Sequence, residues 1–186
     1  MDHLLMNNTF VLVNKLASED SEAALGSLYE LYFERLIRFV YVYVQSENSA
    51  EEVVADVFIS IWLGRKELVN IENFNSYIFT IARNKAISYF RKEEKHYNMQ
   101  KQSTVDIYKN TETTPEDDFI SKELIEKFNE AVNSLPTQCK TVFILIREDK
   151  LKYKDAAVIL NISVKTVEAH MAKATKILRR LLEDRI

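Results

Sequence analysis

The chain has 186 residues, 47% of them apolar and 28% charged, with two glycines, two prolines and one cysteine. That apolar share can build real cores, the scarcity of turn formers disfavours an all-β fold, and a single cysteine, Cys139, excludes an internal disulfide. The net charge of −3 hides two basic islands: residues 83–95 hold five bases against two acids and 147–186 ten against six, while 1–50 and 96–130 are acidic.

Residues 10–44 read as helical, with Leu28, Tyr32, Leu36 and Phe39 at i, i+4, i+8 and i+11 keeping one apolar stripe. The segment SENSAEEVV (46–54) sets cap formers and acids before the next helix, where they suit its positive N-terminal dipole. That helix is expected to reach about Leu63 and stop at Gly64. Val53, Val57 and Ile61 form its core stripe. Glu52, Ala55, Ile59 and Trp62 form another side, with Asp56 and Phe58 at its edges. Apolar bulk on both sides, together with acids, suggests a docking face, although Phe58 and Trp62 would serve equally to close a bundle core.

A polar stretch, ELVNIENFNS, precedes a third helix at about 77–92, which is expected to bury Ile78, Ile81, Ala82 and Tyr89. Thr80, Asn84, Ser88 and Arg91 make its polar stripe, with Arg83, Lys85 and Lys92 beside it. Any one of these residues alone would read as a solvated surface. Aromatics interleaved with so many bases suit melting or single-stranded DNA, where bases stack and phosphates pair.

Residues 95–115 are rich in Lys, Asn, Gln, Ser and Thr with weak periodicity, and read as a flexible linker. In TTPEDD (113–118) Thr114 can cap a helix and Pro115 suits its first position. Helices then read as 116–133, about 137–147, 152–160 and 164–182. The last two are joined by Asn161, Ile162 and Ser163. Ala156, Ala157 and Leu160 face Val167, Met171, Ala174 and Leu178, and Ser163 caps the second helix. Small alanines let the two helices cross closely, as a helix-turn-helix requires. The polar start of the second helix, with Lys165, Thr166, Glu168, Ala169 and His170, would then enter a major groove.

The order LYELYFERLIRFVYVYV (28–44), AEEVVADVFISIW (50–62), NFNSYIFTIARNKAISYFRK (73–92) and SLPTQCKTVFILIREDKLKYKDAAVILNISVKTVEAHMAKATKIL (134–178) resembles an extracytoplasmic-function sigma factor of the sigma-70 superfamily. The resemblance implies an all-α chain of two small helical domains. A region-2 domain (10–94) would bind core RNA polymerase and the −10 element, and a region-4 helix-turn-helix domain (116–186) would read the −35 element. It further implies that Glu52, Asp56, Phe58 and Trp62 press on polymerase. Asn70, Glu72 and Asn73 would capture a flipped base, with Arg83, Asn84, Lys85, Ser88, Arg91 and Lys92 lining the melted −10 strand and its backbone. Lys154, Lys165, Thr166, Glu168, Ala169, His170 and Lys173 would face duplex promoter DNA at −35. Two positions depart from the family pattern: Ala55 stands where a glutamine is usual, and Glu168 where many members carry a base. The branch it resembles answers a membrane-spanning anti-sigma protein.

Two rivals remain at this level. A dimeric helix-turn-helix regulator is suggested by SVKTVEAH, although residues 10–92 lack the α/β alternation of a receiver. A nucleic-acid-processing enzyme finds no support: His3, His96 and His170 lack metal-ligand spacing, and no phosphate-loop or nucleophile motif is present. No catalytic group, metal, cofactor or small-molecule substrate is therefore expected. No run of about 18 apolar residues exists, and MDHLLMNNTF lacks a basic n-region and cleavage site, so a cytoplasmic protein is expected.

Overall fold

The computed structural model describes the backbone of residues 2–100 and 127–183, and the side chains of 8–94 and 127–182. Thr114, Pro115, most of the predicted linker and the first part of the helix predicted from 116 lie outside the described residues. All regular structure within them is helical.

The stretch predicted as helical over 10–44 is two helices, α1 (Asp2–Glu19) and α2 (Glu22–Val44). Asp20 breaks it by taking a left-handed φ of 52°, and the Ser21 hydroxyl then caps α2 by accepting from the Ala24 amide. Aspartate tolerates that conformation better than most residues, which is why the break needs no glycine. The Leu28, Tyr32, Leu36 and Phe39 stripe is buried as the spacing predicts. Gln45, also left-handed, ends α2, and Ser46 caps α3 (Glu47–Leu63) at Ser49.

Gly64 ends α3 without needing a positive φ; its neighbours run directly into a 3-10 turn, Arg65–Asn70. Leu68 pins that turn beneath α1. The third predicted helix proves longer at both ends, α4 (Phe74–Gln100), with the Asn73 carboxamide accepting from the Ser76 amide at its start. Ile78 and Ala82 are buried as expected, Ile81 and Tyr89 are half-buried, and Phe79 is fully buried against Phe39.

The second unit comprises a helical segment over 127–133 (α5), α6 (Thr137–Phe143), a π-helical turn over Ile144–Glu148, α7 (Tyr153–Leu160) and α8 (Val164–Glu183). The helix predicted over 137–147 therefore widens partway along, and Asp149 and Leu151 donate back to Ile144 and Leu145 across the widened turn. Asn161, left-handed at φ 53°, turns the chain between α7 and α8. Val167, Met171, Ala174 and Leu178 pack against Ala156, Ala157 and Leu160, all buried. The two units lie against each other, α2 and α4 on one side and α6, the π turn and α7 on the other, and their buried side chains form one continuous cluster.

Candidate nucleic-acid interface

On α3 the exposed side is acidic and then apolar. Glu52 and Asp56 are exposed, Ile59 is 54% exposed and Leu63 74% exposed, at i, i+4, i+7 and i+11. Trp62 is half-buried beside them, with the Arg65 guanidinium 4.2 Å from its ring centre. Phe58 does not share this face. It is 6% exposed and packs on Tyr29 with ring centres 4.8 Å apart, so it closes the bundle core and cannot press on a partner as the resemblance implied. Leu63 takes its place on the exposed surface. The strict i, i+4, i+7, i+11 spacing from Glu52 contained that signal.

The turn and loop before α4 present Asn70, Glu72 and Asn73, all exposed. Asn73 is half committed, because its oxygen caps α4 while its nitrogen donates to Asp155 Oδ1 at 3.1 Å. Asn70 donates weakly to Glu67 at 3.5 Å. Along α4, Asn84, Ser88, Arg91 and Lys92 are exposed, whereas Arg83 and Lys85 are half-buried. Thr80 is spent on its own helix, donating to the Ser76 carbonyl at 2.6 Å. Half-buried Tyr43, whose hydroxyl pKa is pushed up by desolvation, lies beside Thr141 and Arg83, so Arg83 stands close to the boundary with the second unit.

In the helix-turn-helix, the Ser163 hydroxyl accepts from the Thr166 amide at 3.0 Å, as the cap assignment predicts. The Thr166 hydroxyl is paired with Ser163 at 2.8 Å, which leaves its methyl free to meet a base. Lys154 on α7 and Lys165, Glu168, Ala169 and Lys173 on α8 are exposed. His170 is half-buried, with Nδ1 3.9 Å from Cys139 Sγ. Cys139 is buried, and that burial pushes its thiol pKa up, which suits packing rather than reactivity. Glu168 lines an open groove with Arg147, Lys176 and Arg179, so this acid of α8 stands among bases.

Among the described residues no group of His, Cys, Asp and Glu could hold a metal ion, and no helix is long and apolar enough to cross a membrane. Buried Phe58 aside, the sequence-derived candidates fall in three places: an acidic and apolar one on α3, a basic polar one on α4 and its preceding loop, and one on α7 and the first half of α8.

Comparison with known proteins finds a match for each of the two helical units. The family described as sigma-70 region 2 matches residues 28–96, and that described as sigma-70, region 4 matches residues 125–178. The ECF RNA polymerase sigma factor SigW of Bacillus subtilis is 23% identical over 177 residues, covering 91% of this chain and 95% of its own. The RNA polymerase sigma factor NccH of Alcaligenes xylosoxydans xylosoxydans is 22% identical, covering 90% and 91%. Among solved structures, the sigma factor RpoE from Bartonella quintana, in complex with the anti-sigma factor NepR, matches with a TM-score of 0.66 at 22% identity, over 85% of this chain and 96% of that one. CnrH in complex with the cytosolic domain of CnrY matches with a TM-score of 0.63 at 20% identity, over 95% and 98%. With both regions matched in order, the chain belongs to the sigma-70 family as an extracytoplasmic-function sigma factor, and it directs RNA polymerase to start transcription at particular promoters.

Proposed function

We propose that the work of promoter selection is divided among the three surfaces at the level of single residues. Residues 10–94 act as the polymerase- and −10-binding unit and 116–186 as the −35 reader, with the chain between them spanning the spacer. Glu52, Asp56 and Trp62, extended by Ile59 and Leu63, dock on polymerase. Asn70, Glu72 and Asn73 capture the extruded base, and Arg83, Asn84, Lys85, Ser88, Arg91 and Lys92 hold the melted strand. Lys154, Lys165, Thr166, Glu168, Ala169, His170 and Lys173 face the −35 duplex. The protein acts in the cytoplasm as a binding factor and carries out no chemistry of its own. An anti-sigma protein anchored in the membrane holds it off polymerase; both structural neighbours were solved with partners of the anti-sigma kind or with a cytosolic domain.

The observation that carries this reading is the exposed Glu52, Asp56, Ile59 and Leu63 stripe on a helix whose opposite side already fills the core. A bundle helix needs one apolar face, and two further apolar residues, Ile59 and Leu63, left in water beside two acids mark an interaction surface. Energetics favour a mounted reader over a free one. Extruding a base costs a few kcal/mol and stacking returns about 1–3 kcal/mol per base. Two weak grips gain affinity when a scaffold fixes their spacing. In vitro transcription with purified core polymerase over a genomic promoter library tests the assignment: initiation from a defined promoter set supports it, and failure to engage core enzyme rejects it.

A further inference from the structure

Cys139 and His170 meet between α6 and α8, 31 positions apart in sequence, with Sγ 3.9 Å from Nδ1. Cys139 is 1% exposed, whereas His170 is half-buried at the edge of the same core. The two ring nitrogens of His170 therefore differ in surroundings. Nδ1 is turned inward to sulfur. Among the described residues, the buried side-chain nitrogens and oxygens that lack a partner belong to Ser76 and Asp149, so Nε2 of His170 reaches water. Lys173, one turn further along α8, is exposed and lies near enough to Cys139 for its charge to act on the thiol.

A neutral imidazole carries one N–H and one bare nitrogen, and its neighbours decide which is which. Burial pushes the Cys139 thiol up, and Lys173 offsets only part of that, so the sulfur keeps its hydrogen. A thiol that keeps its hydrogen donates to a bare Nδ1, while against an Nδ1–H it serves only as a weak acceptor. The ring hydrogen then belongs on Nε2, where it faces outward as a donor. Phosphate oxygens of DNA accept and never donate, and they take half or more of the hydrogen bonds that proteins make to a duplex. The position on the helix suits them. Lys165, Ala169, Ala172 and Lys176 form the exposed crest of α8, and His170 lies about 100° round from Ala169, on the flank that holds Lys173. A flank meets the wall of a groove, and the crest meets its floor.

We propose that Cys139 is a positioning residue for DNA binding: its thiol donates to His170 Nδ1 and fixes the tautomer whose Nε2–H donates to a backbone phosphate beside the −35 element, next to Lys173. The phosphate contact rests on the assignment of α8 to the −35 duplex; the tautomer does not.

The first measurement needs neither a variant nor DNA. Ring-nitrogen NMR of the full-length protein, with the imidazole titrated to its neutral form, should place the His170 hydrogen on Nε2. A hydrogen on Nδ1 overturns the proposal whatever α8 binds. Cys139→Ala should spread the hydrogen over both nitrogens with circular dichroism unchanged, and an unaltered tautomer in that variant also overturns it. In holoenzyme assembled with core polymerase, Cys139→Ala should weaken promoter binding by about threefold to tenfold, the effect of one hydrogen bond. The loss should be equal across −35 sequences and leave the salt dependence unchanged, whereas Lys173→Ala should lower the salt slope by about one. His170→Gln supplies an amide N–H that needs no tautomer, so adding Cys139→Ala to it should cost nothing more. An equal further loss in that background marks Cys139 as packing alone and overturns the proposal. So does a salt slope lowered by about one in His170→Gln, which means that the ring binds as a cation. A loss confined to particular −35 sequences moves His170 onto a base and overturns the phosphate contact. Failure of wild-type holoenzyme to bind any promoter overturns the function proposed for α8, and the phosphate contact with it, while the NMR result still decides the thiol's role.

Discussion

Lys85 on α4 holds its ammonium 3.9 Å from the Asp56 carboxylate on α3, so the surface proposed for polymerase and the surface proposed for melted DNA touch at a shared border. Each side chain is partly solvated, and such a pair adds little to stability. Its consequence is positional: the acid proposed for docking helps place the base proposed to face DNA. Asp56→Ala with Trp62→Ala should weaken core polymerase binding tenfold or more, about 1.4 kcal/mol per decade, with circular dichroism unchanged. A pull-down titration showing wild-type affinity would remove the α3 face. Phe58→Ala should behave differently, lowering folding stability by about 3–5 kcal/mol in urea because it empties a core position.

Glu168 is the exposed acid at the start of the reading helix, among Arg147, Lys176 and Arg179. A carboxylate there repels phosphate but accepts from cytosine N4. Glu168→Arg should therefore change the preferred −35 bases more than overall affinity. Selection from a randomised −35 library is the measurement, and an unaltered consensus would refute the contact.

The Ser163 cap offers a purely structural comparison. Ser163→Ala removes the acceptor for the Thr166 amide and frees the Thr166 hydroxyl. A loss of about 1 kcal/mol in urea unfolding is expected.

Two carboxylates should respond to acid with opposite sign. Burial pushes the Asp149 carboxyl above its ordinary value of 3.8, and Arg35 reverses only part of that. The folded form then binds the proton more tightly than the unfolded one. Its acid-dependent stabilisation is fully present below 3.8 and is lost as pH rises through the raised value. Asp20 is held below 3.8 by hydrogen bonds from Lys66 and Arg65. Its contribution is present above 3.8 and disappears as pH falls through the lowered value. Carboxyl chemical shifts followed by NMR should give a midpoint above 3.8 for Asp149 and below 3.8 for Asp20. An Asp149 midpoint below 3.8 would mean that Arg35 outweighs burial.

Much of the fold was legible because the apolar spacing is regular. The stripes of α2, α3 and α8 are buried where i, i+4 and i+7 patterns put them, and the Ser46 and Ser163 caps fall where hydroxyls precede the helices. The break at Asp20 was not legible, since a left-handed aspartate leaves no mark in periodicity. Nor was the π turn at Ile144–Glu148, where an apolar run fits an α-helix equally well. On α3, Glu52 and Asp56 are exposed as charged residues usually are, while Phe58, named for the docking face, is buried, and Leu63, assigned to neither side, is exposed. Apolar residues on adjacent helical faces cannot be sorted until the neighbouring helix is placed, and here Tyr29 claims Phe58. The Arg35 and Asp149 pair between the units was invisible in sequence, because a pair 114 positions apart has no local signature.

The carboxylate of Asp20 receives both Arg65 and Lys66 from the 3-10 turn that leads to Asn70 and Asn73. One residue at the elbow between the first two helices thus anchors the support of the loop assigned to capture a base. Trimming the N-terminal helix, although far in sequence from any nucleotide contact, would slacken that anchorage and blunt strand opening before it disturbed duplex reading at the other end of the molecule.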